Sequence, residues 1–289
     1  MFTELQVRAS VTTSVPLPTD GVISNTAMMA KCRCAYKFRP WHVLTKGMLG
    51  MKDQNKLLAH LAHADYAALE SVFELIDLPQ GFVLSSPGEP LQYCYFPYSG
   101  VISTVVTSPS GRRTEIGLLG REGVSPSSVA LGAADAPFLV IMQVPGRGAR
   151  IPIGVIRNMI ETSPGLKQIL MQWAHVALSQ TAFTALSNAI HPVDERLARW
   201  ILMCHDRVGG DAIDLTHEFL AIMLSVRRPS VTVALHVLEG KQLIYSHRGT
   251  IIVRDRAGLE HFAADAYGGA EREYEKLFGQ IEGPELRSA

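Results

Sequence analysis

Long apolar runs and a secretory leader are both missing from this sequence. No stretch of the 289 residues reaches the roughly 18 consecutive apolar residues that a membrane span requires, and the longest strong run, residues 138–142, suits a buried strand. The first ten residues include Glu4 and Arg8 and hold no apolar core, which argues against a secretory signal. We therefore expect no transmembrane helix and a cytoplasmic protein.

Cysteine is scarce, and catalytic signatures are missing. The four cysteines, Cys32, Cys34, Cys94 and Cys204, are irregularly spaced, which fits free thiols in a reducing compartment better than a disulfide framework. Cys32 and Cys34 together supply only two ligands for a metal or an iron–sulfur cluster. The sequence contains no nucleophile elbow, Walker loop or H-E-x-x-H motif. We therefore predict neither an enzyme nor a metal centre, and the residues identify no cofactor.

An excess of charge of one sign is lacking over the whole chain but not over its parts. Basic and acidic residues both number 27, so the formal net charge is zero. From residue 216 to 256, however, six basic residues stand against three acidic ones, a net charge of +3. Residues 1–50 carry six basic and two acidic residues, a net charge of +4. The distribution of charge therefore leaves nucleic acid open as a partner.

Apolar periodicity divides the first half of the chain into three regions. Residues 1–50 show no sustained period and are predicted to be a disordered arm, although its basic residues could also contact phosphates. Apolar residues at helical spacing from Asn55 to Leu75 predict one or two short helices. Six short runs rich in β-branched and aromatic residues then predict a small antiparallel barrel or sandwich. These runs cover residues 81–84, 92–96, 101–107, 114–119, 138–144 and 149–151.

A long helix is predicted from Pro164 to about Ile190. A stripe of mostly apolar side chains at spacings of three and four residues follows it from Leu166 to Ser187. The stripe could pack on its own strand-rich domain. A helix of some 25 residues is about 37 Å long, however, which is longer than one small barrel can cover. We therefore favour pairing with the same helix of a second subunit.

A new domain is predicted to begin after the long helix. His191-Pro192 breaks the helical pattern, and residues 193–208 resume it as an amphipathic helix with one apolar face. Thr216 is placed to cap the following helix, with Leu215 and Leu220 as a hydrophobic staple across the cap. A helix pair with a short turn is the expected result.

The second helix of this pair is predicted from Arg228 to about Glu239, after a turn at residues 225–227 and with Gly240 as its C-terminal glycine. In a recognition helix, outward side chains near the N-terminus reach base edges in the major groove. Arg228 is the strongest candidate, because a guanidinium can bond guanine O6 and N7 together. The candidate DNA-binding residues are Thr216, Arg227, Arg228, Pro229, Ser230, Thr232, Val233, His236 and Arg248.

A β-hairpin is predicted to follow. Its strands are residues 243–245 and 250–253, around a tight turn that contains Gly249. Beside a helix-turn-helix such a hairpin is a wing, and Arg248 at its tip could contact a phosphate. An ordinary helical subdomain with a hairpin is the alternative. The order of cap, helix, turn, basic helix start and hairpin at close spacing favours the winged helix-turn-helix.

At these residues the sequence resembles the Crp/Fnr family of bacterial transcription regulators. The likeness rests on E-R-L-A-R-W at 195–200, L-T at 215–216, L-A at 220–221, V-x-R at 226–228 and R-G at 248–249, and nearer the N-terminus on Y-F-P at 95–97, S-G-V at 99–101 and G-R-E-G at 120–123. The resemblance implies an α+β chain. Its parts would be an antiparallel β-barrel of cyclic-nucleotide-binding-like jelly-roll type (51–163), a dimerisation helix (164–191), a winged helix-turn-helix (192–265) and a tail (266–289). It also implies a homodimer that binds double-stranded DNA and acts on RNA polymerase.

Several residues depart from the family pattern. The family has glycine where Ser225 stands, so the turn must take a conformation that serine tolerates. Pro229 and Val233 stand where family members have charged residues, so the target DNA sequence cannot be transferred. A small-molecule or redox sensor in which DNA binding is lost or secondary is therefore the alternative to a sequence-specific DNA-binding transcription regulator.

The cyclic-nucleotide cradle of the family is also altered. Its carboxylate and arginine have no counterpart at residues 124–127 and 136–138. Because burying an uncompensated phosphate is costly, these residues argue against cAMP as the ligand. Arg121 or Arg150 could serve another anion.

Overall fold

The structure is a computed structural model that describes residues 54–279. The predicted arm, with Cys32 and Cys34, and the last ten residues of the predicted tail lie outside the described residues. Two short helices, α1 (Lys56–Ala59) and α2 (His63–Glu70), open this part of the chain, as the spacing predicted. The predicted helical region extended to Leu75, but the helices end before it. Glu74–Leu78 forms strand β1 instead, which pairs along its whole length with a later strand.

Two antiparallel sheets form the N-terminal domain, one in the order β1-β7-β3 and the other in the order β2-β6-β4-β5. The strands are β2 (Val83–Ser85), β3 (Tyr93–Pro97), β4 (Val101–Thr107), β5 (Arg113–Leu119), β6 (Leu139–Val144) and β7 (Gly146–Pro152), with a 3₁₀ turn at Val129–Leu131. All six predicted strands are therefore present. Of the predicted barrel or sandwich, the sandwich alternative holds, since the sheets do not close into a barrel: no ladder joins the edge strands of one described sheet to those of the other. The domain is a sandwich.

Strand β4 is buried on both of its faces. Ile102 lies in the core between the two sheets with Met142, whereas Val101 and Val105 belong to a second core on the outer side of the four-stranded sheet. Strands that are covered on both faces read as nearly continuous apolar runs, which accounts for the sequence V-I-S-T-V-V. The outer face of this sheet is therefore a packing surface for another part of the chain.

Helix α3 (Ile153–Thr162) leads into the long helix α4 (Pro164–Ile190), which has the predicted length. The ring of Trp173 packs on Gly123, and its Nε1 donates a hydrogen bond to the Val124 carbonyl at 2.8 Å. Gln180 accepts a hydrogen bond from the Leu118 amide at 2.6 Å. The predicted stripe thus covers the sandwich of its own chain, so these side chains are not the ones that could contact a second subunit.

The C-terminal region is built around helix α5 (Val193–His205). It also contains β8 (Ala212–Asp214), α6 (His217–Met223), α7 (Arg228–Gly240), β9 (Ile244–His247), β10 (Thr250–Val253), α8 (Arg256–Ala263), a 3₁₀ turn at Ala264–Ala266 and α9 (Gly269–Phe278). Every residue from 197 to 205 is buried, although an amphipathic helix with one apolar face was predicted. The reason is that α7 and α8 flank α5 and the outer face of the four-stranded sheet shares its core.

Helix α9 lies in the segment that was assigned to a tail. It packs along α4, where a Cβ atom on Gly269 would lie 2.5 Å from the Phe183 ring. Tyr274 and Phe278 enter the core of the sandwich, and the Phe278 ring lies 5.3 Å from that of His60. The chain therefore returns from its C-terminal region to its N-terminal domain.

Between residues 54 and 279, no single helix is both long and apolar enough to cross a membrane. Helices α6 and α7 satisfy the length and composition criterion only when they are taken together, and they are bent by 99° at the break between them.

The contact between Gly123 and Trp173 yields a stability prediction. A Cβ atom at Gly123 would lie 2.1 Å from the indole ring, so Gly123→Ala should lower the free energy of unfolding by about 1–3 kcal/mol through overpacking. Gly154→Ala in α3 is the matched control, because no heavy atom lies within 4 Å of its Cβ position and alanine favours a helix by up to about 1 kcal/mol. Urea unfolding followed by circular dichroism measures both. Equal stabilities of the two variants would contradict the packing described here.

Candidate nucleic-acid interface

Helix α6 starts at the predicted cap. The Thr216 hydroxyl accepts a hydrogen bond from the Phe219 amide at 3.3 Å, and Leu215 and Leu220 on either side of the cap are both buried. A cap of this type satisfies an amide that has no partner within the helix. The predicted cap and staple are therefore confirmed.

The turn between α6 and α7 is a Schellman motif. The Ser225 amide donates to the Ile222 carbonyl at 3.1 Å, and the Val226 amide donates to the Ala221 carbonyl at 3.0 Å. Ser225 itself has a φ of 53°, the left-handed conformation that glycine adopts most easily at this place. Serine therefore takes the backbone conformation for which the family uses glycine, at a cost of about 1 kcal/mol.

Arg196 holds this turn against α5. Its guanidinium donates a hydrogen bond to the carbonyl of Leu224, the last residue before the turn. Burial lowers the pKa of Arg196 from its ordinary value. The motif at 195–200 includes Arg196 but did not predict this role. The hydrogen bond joins Arg196 to Leu224, and these residues are distant in sequence.

Helix α7 presents one side to the core and the other to solvent. Val231, Ala234, Leu235 and Leu238 are buried, as their spacing predicted. The outward residues Arg227, Arg228, Pro229, Val233 and His236 are exposed, and Ser230 and Thr232 are half-buried. The helix includes Gly240, and Gln242, with a φ of 59°, is the left-handed residue that ends it. The assignment of Gly240 to that position is wrong because the helix extends further than predicted.

The hairpin of β9 and β10 has a two-residue loop. His247 pairs with Thr250, so only Arg248 and Gly249 lie in the turn, with φ angles of 46° and 87°. Two positive φ angles are the mark of a type I′ turn, whose twist matches that of the strands. The first strand is therefore shifted towards the turn from its predicted bounds. Strand β8 pairs on the other side of β10.

The predicted residues lie along one connected stretch of surface. The Leu215 amide, next to the cap of α6, donates to the Gly249 carbonyl at 2.6 Å, which brings the hairpin tip to the start of α6. Glu218 in the first turn of α6 pairs with Arg228 at 2.9 Å, which joins the starts of α6 and α7. Glu218 was not among the predicted site residues. Its partner lies in a different helix, and no periodicity in the sequence connects the two positions.

The orientation of α6 and α7 depends on a contact that we call the domain seam. Here the outer face of the four-stranded sheet meets Trp200 and Met223. The sheet residues of the seam are Val101, Ser103, Val105, Glu115 and Leu118. Trp200 Nε1 donates to the Glu115 carboxylate at 2.9 Å. The Ser103 hydroxyl donates to the other oxygen of that carboxylate at 2.7 Å and also contacts the Gln143 side chain. Burial raises the pKa of Glu115 to about 8, although the Ser103 and Trp200 bonds lower it.

A second polar contact closes the seam at its edge. Arg207 Nε lies 2.7 Å from a Glu122 carboxylate oxygen, and both side chains are buried. The same carboxylate accepts a hydrogen bond from the Gly120 amide. Burial opposes the charge of Arg207, but Glu122, Asp206 and Glu271 together hold its pKa above the ordinary value. Removal of one partner from such a pair typically costs about 3–5 kcal/mol, so the contact fixes the two domains together.

The segment at the altered nucleotide cradle is occupied by contacts of the protein itself. Ser125 exchanges two backbone hydrogen bonds with Tyr95, at 2.7 and 2.9 Å. Arg150, one of the two arginines considered as ligands for another anion, pairs with Glu74 at 2.9 Å and lies over the Tyr93 ring at 4.0 Å. Among residues 54–279, no group of three or more His, Cys, Asp or Glu side chains is placed to hold a metal ion.

Comparisons with known proteins agree with this geometry. Residues 195–262 match the family model described as the Crp-like helix-turn-helix domain. A Crp/Fnr-family protein from Eubacterium rectale superimposes with a TM-score of 0.58 and 17% identity, over 73% of this chain and 99% of that one. FixK2 from Bradyrhizobium japonicum gives 0.58 and 16%, over 67% and 98%. The c-di-GMP-responsive global regulator CLP from Xanthomonas campestris gives 0.55 and 15%, over 66% and 99%. No curated protein matches in sequence.

The buried Glu115 carboxyl yields a pH prediction. Between the ordinary pKa of 4.5 and about 8, the folded chain keeps a proton that the unfolded chain has lost. Rising pH should therefore lower the free energy of unfolding, by at most about 1.4 kcal/mol per pH unit. Glu115→Gln keeps an acceptor for Trp200 and removes this proton. Its stability relative to the original chain should rise between pH 5 and 8 in urea unfolding and level off above that range. Parallel pH profiles of the two proteins would show that Glu115 ionises normally.

Proposed function

We propose that this chain, which carries a Crp-like helix-turn-helix domain on the fold of Crp/Fnr regulators, is a sequence-specific DNA-binding transcription regulator that does not respond to cAMP. The observation that carries the proposal is the outward side of α7, which stays exposed while its aliphatic side is anchored in the core. A helix presented in this way is what the major groove accepts. In bacteria such a protein acts in the cytoplasm, where the chromosome and RNA polymerase lie.

The polar residues of this surface suit two different tasks. Arg228, at the start of α7, reaches outward far enough to bond the edge of a guanine. Arg248 at the hairpin tip and Thr216 at the cap of α6 are exposed beside it, where a guanidinium and a hydroxyl group can contact a phosphate. The full set proposed to contact DNA consists of Thr216, Arg227, Arg228, Pro229, Ser230, Thr232, Val233, His236 and Arg248.

A homodimer is supported by the side of α4 that faces away from its own domain. Exposed residues follow each other there at alternating spacings of four and three, at positions 171, 175, 178, 182, 185 and 189. This is the heptad pattern of two helices that pair. Leu178 is 69% exposed and Met171 is 49% exposed, and Ala182, Ala185 and Ala189 continue the stripe, which His175 interrupts. Exposed apolar patches of this kind mark protein–protein contacts. We propose that a second copy of α4 covers the stripe.

The alternative of a sensor without DNA binding is not favoured by the residues that motivated it. Ser225 takes the left-handed conformation of the turn, and Pro229 lies in the first turn of α7, where a missing amide is tolerated. Both therefore leave the helix pair intact. Burial also raises the pKa of the free thiols of Cys94 and Cys204, so neither is a reactive thiolate at neutral pH.

The proposal is tested by selecting bound sequences from a random pool of DNA duplexes. The full chain should retain a defined sequence, with an affinity that falls steeply as salt is added. Arg228→Ala should then cost about 1–3 kcal/mol and relax discrimination at one base pair of each half-site. Arg112→Ala, which removes an equally charged and exposed arginine from the loop between β4 and β5, is the control. Retention of no DNA at any salt concentration would refute the proposal.

The dimer is tested separately by Leu178→Asp. A carboxylate in the middle of the stripe should separate the subunits, because like charges would face each other across the pair. Sedimentation velocity should show a monomer, and DNA affinity should fall because two half-sites are no longer bound together. Leu131→Asp, at another leucine that is 63% exposed but lies in the 3₁₀ turn, should remain dimeric. A Leu178→Asp protein that remains dimeric would exclude this helix as the interface.

A further inference from the structure

The outward side of α7 is apolar at its centre. Val233 is 63% exposed, and it lies one turn beyond Pro229, with exposed His236 three residues further on. Two polar side chains near it have partners within the chain, since Arg228 pairs with Glu218 and the Thr232 hydroxyl donates to the Arg228 carbonyl. Val233 therefore projects from the helix as a branched, apolar side chain between exposed Pro229 and His236.

Packing within the chain does not explain this valine. The four buried residues of α7 anchor the opposite side, and alanine would be a better helix former at an exposed position. A valine side chain has no donor or acceptor, so it cannot read the hydrogen-bonding groups of a base. The apolar feature of the major groove is the 5-methyl group of thymine, and contact with it is how apolar side chains discriminate bases.

We propose that Val233 reads a thymine in each half-site through contact with the 5-methyl group. This inference rests on the proposed function and names what the site recognises. Val233 lies five residues beyond Arg228, about 7.5 Å along the helix axis, which corresponds to roughly two base-pair steps of 3.4 Å. Five residues also turn the helix by about 140°, so Val233 and Arg228 reach different base pairs of the same half-site.

The experiment uses the full chain and the duplex recovered by selection. Each thymine is replaced in turn by uracil, which removes only the methyl group and keeps every hydrogen-bonding group. Fluorescence anisotropy should show one symmetry-related thymine position at which the dissociation constant rises about fourfold, the effect expected for one methyl group that is no longer buried. In Val233→Ala the same replacement should change affinity by less than twofold.

Val237→Ala is the matched control, because it makes the same change one turn later on the same helix at a half-buried position. It should keep the fourfold uracil effect, and circular dichroism should show that both variants fold. The inference is overturned if no thymine responds to loss of its methyl group, or if Val233→Ala shows the same response as the original chain. In either case the DNA is still bound and the proposed function stands, whereas failure to retain any DNA would remove both.

Discussion

The buried contact of Trp200 with Glu115 is the constraint on which the rest of the structure depends. It lies where the outer face of the four-stranded sheet meets α5, and α5 in turn carries α7 and α8. Because the carboxyl group and the indole have no access to water, each needs a hydrogen-bond partner within the protein. The Arg207–Glu122 pair adds a second fixed point at the edge of the same surface. The helix-turn-helix therefore has a defined orientation relative to the sandwich.

Helix α4 has two sides with different tasks. One side is buried on the sandwich through Trp173 and Gln180, and the other carries the exposed stripe that we assign to a second subunit. Helix α9 lies along the same helix after the chain has passed through the winged domain. The winged domain is thus attached to α4 both through the break at His191-Pro192 and through α9. A shift of the domain in response to a signal would have to strain or release one of these attachments.

Features with a local cause could be predicted from the sequence, and features with a distant cause could not. The Thr216 cap, the length of α4 and the two faces of α7 follow from residues within a few positions of each other. Strand β1 exists because it pairs with β7, about seventy residues away, and α5 is buried all round because a sheet from another domain covers it. The predicted stripe from Leu166 to Ser187 was assigned to a second subunit for the same reason. Spacing identifies an apolar side of a helix but not what covers it.

The ion pair of Glu218 with Arg228 has a consequence for how a duplex is searched. Both side chains are mostly exposed, so the pair contributes little to stability and exchanges easily for another partner. While it is closed, the carboxylate cancels the charge that would draw the arginine to any phosphate. In the proposed complex, a phosphate or a base edge can bond Arg228 only by displacing this carboxylate. Under the proposed function, Glu218 therefore acts as an internal competitor that lowers the affinity of Arg228 for any DNA acceptor and lets the arginine exchange readily between partners.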